Sequence, residues 1–267
     1  MSVRSTALAF PALLKVGIAS AVAYRAEMLI WVLSTTMPLV MLALWSAVAA
    51  DAPVGRFGQD EFTAYFLATF IVRQLTGSWA AWEMNYEVRS GALAMRLLRP
   101  VHPLATYAAE NLGVMPLRIV VAIPVLVISL VAVGTTHLAH SVGMWAIWMA
   151  SMLGAWLITL LVNLAIGSLS LFMESSLKVL DVWFTLFMAL SGYIVPVELF
   201  PPGLRAVVEW LPWRYQIGFP VEVMTNGLAL DRALWLLAAQ WGWVAFFLGL
   251  TLLLWRKGLS RFAAYGG

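Results

Sequence analysis

The chain has 267 residues, of which 63% are hydrophobic and 11% are charged. Soluble domains carry roughly 25% charged residues, so this composition excludes an ordinary soluble protein. The absence of cysteine excludes disulfides, thiolate metal sites and cysteine nucleophiles. The net charge is only +3 and the basic residues stand beside apolar runs, which argues against a nucleic-acid partner.

The N-terminal element, residues 1–28, is half apolar and is interrupted by Pro11, Lys15 and Arg25. It lacks a signal-peptide cleavage pattern. We interpret it as an interfacial helix, an elbow that lies flat on the membrane before the first span.

Six stretches are then long and apolar enough to cross a bilayer, which takes about 20 residues. They cover residues 29–50, 62–82, 112–134, 145–172, 177–195 and 233–255. Little sequence remains for a soluble domain. The chain is therefore predicted to be all-α, a single polytopic membrane domain over residues 1–267.

The distribution of basic residues predicts the orientation of these spans. Of the sixteen Lys and Arg residues, eleven fall on one side if both termini are cytoplasmic. They are Arg4, Lys15, Arg25, Arg89, Arg96, Arg99, Arg118, Lys178, Arg256, Lys257 and Arg261. The outer loops hold only Arg56, Arg205, Arg214 and Arg232. Both termini are therefore predicted to be cytoplasmic.

The 83–103 segment, between the second and third spans, is charged, amphipathic and ended by proline. Glu83 and Glu87 share one face of a helix because they are four residues apart, whereas Met84, Val88 and Met95 form an apolar stripe. A membrane protein with such a cytoplasmic helix is predicted to offer it to a partner.

The 196–227 segment, before the last span, has an unusual density of proline: Pro196, Pro201, Pro202, Pro212 and Pro220. Prolines at this spacing break helices into short pieces. Broken backbone at membrane depth is tolerated where it lines a cavity, so we predict a re-entrant outer hairpin. The alternative is an interfacial loop anchored by Trp210, Trp213 and Tyr215.

Arg73 is predicted to lie near the bilayer centre, inside the second span, where a cation is costly unless it is paired. No other predicted span carries an acid near its middle. The partner of Arg73 is therefore predicted to be backbone carbonyls, water, a second subunit or an anionic ligand. A structural tie to Gln74, Thr69 or backbone carbonyls is an equal alternative.

We find no catalytic or phosphate-binding motif, and the chain is predicted not to be an enzyme. His137 and His140 are three residues apart in a short loop, but no acid flanks them. We interpret them as a polar loop pair rather than a metal site. No cofactor is predicted to bind to this chain.

Residues 87–103 resemble the cytoplasmic coupling segment of type-2 ABC exporter permeases, whose pattern is roughly I-x-x-G-x-L-x-x-x-L-L-R-P. Here the pattern is filled by Val88, Gly91, Leu93, Leu97, Leu98, Arg99 and Pro100. The outer segment is similar to the hairpin of the same family through Gly192, Pro196, Phe200, Pro201, Leu211, Pro212 and Pro220. The C-terminal run RKGLSRFAAYGG is similar to the ending of a subfamily that often has two related permeases beside one ATPase.

The resemblance implies a dimer of six-span permeases in the plasma membrane, the inner membrane, of a prokaryote. A separate cytoplasmic ATPase dimer would bind ATP and Mg²⁺, and membrane lipids would surround the complex. The implied coupling residues are Glu83, Glu87, Arg89, Gly91, Leu97, Arg99 and Pro100. The implied translocation path or dimer seam includes Arg73, Gly192, Tyr193 and Pro196.

This interpretation makes the chain the membrane subunit of an exporter for a lipid-like, glycan or hydrophobic cargo. Three alternatives stay open at this point. They are an ATPase-independent transporter or channel, an intramembrane enzyme, and a membrane assembly or scaffold protein.

Overall fold

The computed structural model describes residues 3–26, 29–30, 35–134, 136, 138–139, 141–225 and 227–262. His137, His140 and part of the predicted first span lie outside the described residues. The described chain is helical, apart from turns and one isolated bridge between Val54 and Phe57. The helices are α1 Val3–Ala23, α2 Met37–Val48, α3 Gln59–Thr76, α4 Ala80–Ser90, α5 Ala92–Leu97, α6 Pro103–Gly113, α7 Met115–Val133, α8 Val142–Leu169, α9 Ser176–Leu190, α10 Pro202–Val208, α11 Gly218–Met224 and α12 Leu230–Leu259.

Four stretches of described helix are long and apolar enough to cross a membrane: Thr6–Ala23, Pro103–Val131, Val142–Leu169 and Leu230–Leu259. The last three correspond to the predicted spans over residues 112–134, 145–172 and 233–255. The first lies in the segment that we predicted to be interfacial, and only 11% of its most apolar window is buried inside the protein.

The other three predicted spans appear as shorter helices. α2 has 12 residues, α3 has 18 and α9 has 15. α3 begins with Gln59, Asp60 and Glu61, and it ends before Gly77 rather than continuing to Trp82. α9 ends just before Gly192, whose φ of +89° turns the backbone away from the helix.

The core of the fold is organised around α8. It packs against α12, α4, α11 and α9, and 78% of its apolar window is buried. Two glycines of α8 allow this close packing. A Cβ on Gly154 would lie 2.7 Å from the Gln240 side chain of α12, and one on Gly167 would lie 2.6 Å from Met84 of α4. Small residues at helix crossings let backbones approach in this way.

The 196–227 segment is broken into short helices, as its prolines predict. Residues 197–199 and 214–216 form single 3₁₀ turns, with α10 and α11 between and after them. α11 is buried throughout, and it packs against α8 and α3. Residues 218–224 of the segment are therefore packed into the fold, whereas residues 201–207 are exposed.

Candidate functional site

A cavity of about 750 Å³ lies where α3, α7, α8 and α9 meet. Pockets that bind small molecules are typically 300–1,000 Å³ and combine apolar walls with a few polar groups. This cavity has that character. Its charged and polar lining residues are Thr35, Arg73, Gln74, Ser78, Glu83, Arg118, Thr159, Asn163, Asp181, Tyr193 and Gln216.

Arg73 lies in the last turn of α3 and faces this cavity. Its guanidinium carbon is 5.3 Å from the centre of the Phe187 ring, and its side chain interacts with the hydroxyl group of Tyr193. Arg73 and Tyr193 were both expected at the translocation path or dimer seam, and the structure brings them together at one cavity.

Gly192 and Pro196, the other two residues expected there, do not line the cavity. The Gly192 carbonyl accepts a hydrogen bond of 2.8 Å from the Tyr65 hydroxyl, and a Cβ on Gly192 would lie 2.6 Å from that hydroxyl. Pro196 is buried and precedes the first 3₁₀ turn. These two residues therefore shape the turn that carries Tyr193.

Arg118 is a second cavity arginine, and the sequence analysis missed its role. It is only 2% exposed and lies near the start of α7. Its guanidinium donates to the Gly77 carbonyl and lies 4.8 Å from the centre of the Trp79 ring. The sequence signal for this role was a single cation within the predicted span over residues 112–134. The sequence analysis used Arg118 only as a basic residue on the cytoplasmic side.

Polar side chains of α8 and of the 214–216 turn line another side of the cavity. The Gln216 amide donates to the Thr159 hydroxyl at 3.0 Å. The Asn163 side-chain oxygen accepts from the backbone amide of Ala81 at 3.4 Å. Asn163 therefore joins α8 to the start of α4, as an interhelical hydrogen bond of the kind expected for a lone polar residue in a span.

Next to the cavity, one arginine holds three carboxylates together. Arg96 of α5 is bonded to Glu83 and Glu87 of α4 and to Glu110 of α6, and we call this group, with Tyr107 of α6, the Arg96 clamp. Its Nη2–Glu83, Nε–Glu87 and Nη1–Glu110 distances are 3.2, 3.0 and 2.9 Å. Tyr107 donates to the Glu87 carboxylate, and its ring lies 4.2 Å below the guanidinium.

The charges in the Arg96 clamp do not balance, because one cation faces three acids. Burial and the neighbouring Glu110 raise the pKa of Glu83 to about 8, although Arg96 opposes that shift. Burial lowers the pKa of Arg96, but the bonds from Glu87 and Glu110 outweigh it and leave the pKa raised.

The face of the 83–103 segment that is exposed to solvent is partly apolar. Glu83 and Glu87 turn inward to Arg96, and Met84 and Val88 are buried. The large exposed apolar residues on α4, α5 and the turn after them are Trp82, Tyr86, Met95 and Leu98, the last three 71%, 67% and 79% exposed.

Other residues expected to couple to an ATPase occupy several positions in this segment. Arg89, Arg99 and Pro100 are exposed, whereas Leu97 is half-buried. Gly91 has a φ of +76° and forms the left-handed junction between α4 and α5. A glycine fits there because side-chain-bearing residues rarely adopt that conformation.

An ion-pair network links the outer segment to α12. Glu209 lies 3.3 Å from Arg205, 3.2 Å from Arg214 and 2.6 Å from Arg232. Arg214 also pairs with the buried carboxylate of Glu222 at 2.6 Å. These contacts fix the broken helices of the segment to each other and to the start of α12.

Within the described ranges, no group of three His, Asp or Glu side chains is placed to hold a metal ion. A comparison with protein-family models finds that residues 54–266 match the model described as an ABC-2 family transporter protein. No curated protein matches the chain.

Proposed function

The chain belongs to the ABC-2 transporter family, and from that membership we propose that it is the membrane subunit of an ATP-driven exporter. Permeases of this family generally lack an ATPase of their own, which fits the absence of a phosphate-binding loop in the sequence. A separate cytoplasmic ATPase dimer would therefore hold ATP and Mg²⁺. The family match over residues 54–266 is the observation that carries this proposal.

We propose six membrane crossings, built on α2, α3, α6 with α7, α8, α9 and α12, with both termini in the cytoplasm. α1 would be the interfacial elbow, and the short helices of the 196–227 segment would re-enter the membrane from outside. The uneven distribution of basic residues supports this orientation. α1 also packs tightly on α6, since a Cβ on Gly17 would lie 2.9 Å from the Ala109 carbonyl oxygen.

Cysteine labelling tests this topology, because the natural chain contains no cysteine. A Met95→Cys variant should react with a membrane-impermeant maleimide only after the membrane is opened. A Trp210→Cys variant should react in intact cells. The opposite pattern would overturn the orientation.

We propose that the ATPase binds to the exposed face of the 83–103 segment. This face combines Tyr86, Met95 and Leu98 with the basic side chains of Arg89 and Arg99. Met95 and Leu98 are three residues apart, and a helix that docks into a groove uses apolar anchors at this spacing. Glu83 and Glu87 would act indirectly, by fixing the geometry of α4 and α5 through Arg96.

The test is co-purification of the chain with the ATPase encoded beside its gene. Leu98→Asp should lose the ATPase, because it puts a charge into an apolar contact. Trp210→Asp is the matched control, since Trp210 is a large exposed apolar residue on the proposed outer side. If Leu98→Asp retains full ATPase binding and transport, the docking face is wrong. If the wild-type chain transports its cargo without any ATPase, the ATPase-independent transporter is correct.

We propose that a second permease, identical or homologous, packs against the first, second and fifth spans. α2 and α9 support this, because both contribute lining residues to the cavity and also carry exposed apolar residues such as Val40, Leu44 and Val182. A translocation path between two subunits would then include Arg73 and Tyr193. A Val182→Cys variant should form a disulfide-linked dimer if two identical chains pair, and purification of a complex with only one permease would exclude the arrangement.

A further inference from the structure

Two arginines of the cavity form no ion pair with the carboxylates of the described residues. Among the described residues, no carboxylate lies within 4.0 Å of a nitrogen of Arg73 or Arg118. Arg118 is 2% exposed, and the two guanidiniums are near enough for their like charges to repel each other. Two neighbouring cations, Arg118 buried and Arg73 half-buried, are unfavourable without an anion, so this arrangement is suited to a negatively charged ligand.

The acids that line the same cavity are engaged elsewhere or exposed. Glu83 is bonded to Arg96, and its charge is set by Glu110, Arg96 and Glu87. Asp181 is exposed at the start of α9. Neither acid therefore forms an ion pair with Arg73 or Arg118.

The arginines also have the chemistry for an oxyanion. A guanidinium offers a planar set of N–H donors that matches the oxygens of a phosphate or a carboxylate. The known contacts of Arg118 use one of its nitrogens on the Gly77 carbonyl. The Tyr193 hydroxyl, beside Arg73, adds a further donor at the same end.

The rest of the cavity wall is apolar and aromatic. It includes Trp79, Trp183, Phe184, Phe187 and Met188. A volume of about 750 Å³ is far larger than an inorganic anion needs. The wall and the volume together fit an apolar body attached to the anionic group.

We propose that this cavity binds an amphipathic anion, with a phosphate or carboxylate head between Arg73 and Arg118 and an apolar body along the aromatic wall. This inference rests on the proposed function, since it assigns the chemical class of the exported cargo. It predicts that the head selects the ligand by charge and that the body contributes through apolar burial.

Native mass spectrometry of the purified full-length chain in a neutral detergent tests the site. The probes are dioleoyl phosphatidate and dioleoyl phosphatidylcholine, which share the same tails, with oleate as the carboxylate probe and inorganic phosphate as the free anion. We expect phosphatidate or oleate to bind at least tenfold more tightly than phosphatidylcholine. Inorganic phosphate at the same concentration should not displace them.

The variants separate the cavity from general attraction to basic residues. Arg73→Gln and Arg118→Gln should each weaken binding of the anionic lipid about tenfold, the effect of losing one charge-assisted contact. Arg256→Gln, on the exposed cytoplasmic end of α12, should bind like the wild type. If Arg118→Gln does not fold because the Gly77 contact is lost, Arg118→Lys takes its place. Arg118→Lys keeps the charge and should retain part of the binding.

Equal binding by the wild type and both cavity variants would overturn the proposal, as would an equal loss in Arg256→Gln. Displacement by inorganic phosphate would reduce the site to a simple anion site and overturn the amphipathic assignment. Binding is measured without the ATPase, so it stands or falls separately from the proposed function. Arg-dependent lipid binding by a chain that recruits no ATPase would keep the site and reject the exporter.

Discussion

The Arg96 clamp and the cavity use the same side-chain chemistry in opposite ways. In the clamp, one guanidinium is surrounded by three carboxylates from two helices. In the cavity, two guanidiniums contact a tyrosine, a backbone carbonyl and aromatic rings, and neither forms an ion pair with a carboxylate of the described residues. Arginine therefore joins helices in the clamp, whereas the arginines of the cavity are available to bind a ligand.

This difference fits the places that the two regions occupy in the fold. The clamp ties α4 and α5 to α6, and α6 leads directly into the long helix α7. A movement of α4 and α5 would therefore be passed to that helix. Glu83 belongs to both regions, because it bonds Arg96 and also lines the cavity.

Replacing Arg96 should have the largest effect on folding. Arg96→Leu leaves three carboxylates close together without a cation, and breaking a buried ion pair costs about 3–5 kcal/mol. We expect a large fall in the thermal midpoint of unfolding and in the yield of folded protein. Arg99→Leu removes an exposed arginine of the same segment and should leave both unchanged. A thermal midpoint of Arg96→Leu within 1–2 °C of the wild type would show that the clamp contributes little.

Replacing Arg73 should separate stability from transport. Arg73→Leu removes a half-buried charge that pairs with no carboxylate of the described residues, so the thermal midpoint should stay the same or rise, whereas transport should fall at least tenfold. Arg73→Lys keeps the charge without the planar donors and should recover only part of the transport. Lower expression together with a lower thermal midpoint would indicate the structural role, and wild-type transport would exclude a role in the path.

The pH dependence of stability should come from the unbalanced charge of the clamp. The folded pKa of Glu83 is about 8, above its ordinary value of 4.5, so the folded state holds a proton that the unfolded state releases. The facing groups are Glu87 on α4, Arg96 on α5, and Glu110 and Tyr107 on α6. The stability contributed by that proton is fully present below pH 4.5 and is lost as the pH rises through 8.

Thermal unfolding at pH 6 and pH 9 tests this expectation. The wild-type thermal midpoint should be lower at pH 9, and Glu83→Gln should reduce that difference because its side chain cannot ionise. Glu174→Gln removes an exposed acid outside the clamp and should unfold like the wild type at both values. An unchanged pH difference in Glu83→Gln would assign the titration to another group.

For the 83–103 segment, the sequence predicted which residues share a helix face. It did not predict which residues of other helices they contact. The four-residue spacing of Glu83 and Glu87 correctly placed them on one side of a helix, since both bond to Arg96. Their partners could not be predicted, because Arg96 follows the turn at Gly91 and Glu110 lies in α6. Helical spacing gives direction within one element, whereas the orientation of neighbouring helices depends on tertiary packing.

Hydropathy predicted the long helices α7, α8 and α12 but not the break after α3. The run through residues 62–82 stays apolar on average, so it conceals the interruption at residues 77–79 between α3 and α4. That interruption exposes the Gly77 carbonyl to Arg118, which is 41 residues away in the chain. Arg73 and Tyr193 were expected at one site, whereas the contribution of Arg118 depends on this long-range contact.

The clamp and the cavity also differ in the group that their tyrosine contacts. Tyr107 donates to the Glu87 carboxylate in the clamp, whereas Tyr193 lies beside the Arg73 guanidinium in the cavity. A hydrogen bond to a charged group contributes about 1.5–3 kcal/mol, and its loss leaves the Glu87 oxygen less satisfied. Tyr107→Phe should therefore lower the thermal midpoint by several degrees, and more than Tyr193→Phe does. Tyr193→Phe should instead weaken binding of the anionic lipid by a few-fold, while Tyr107→Phe leaves binding unchanged. Equal losses of stability in the two variants would contradict the conclusion that the clamp joins helices whereas the cavity binds a ligand.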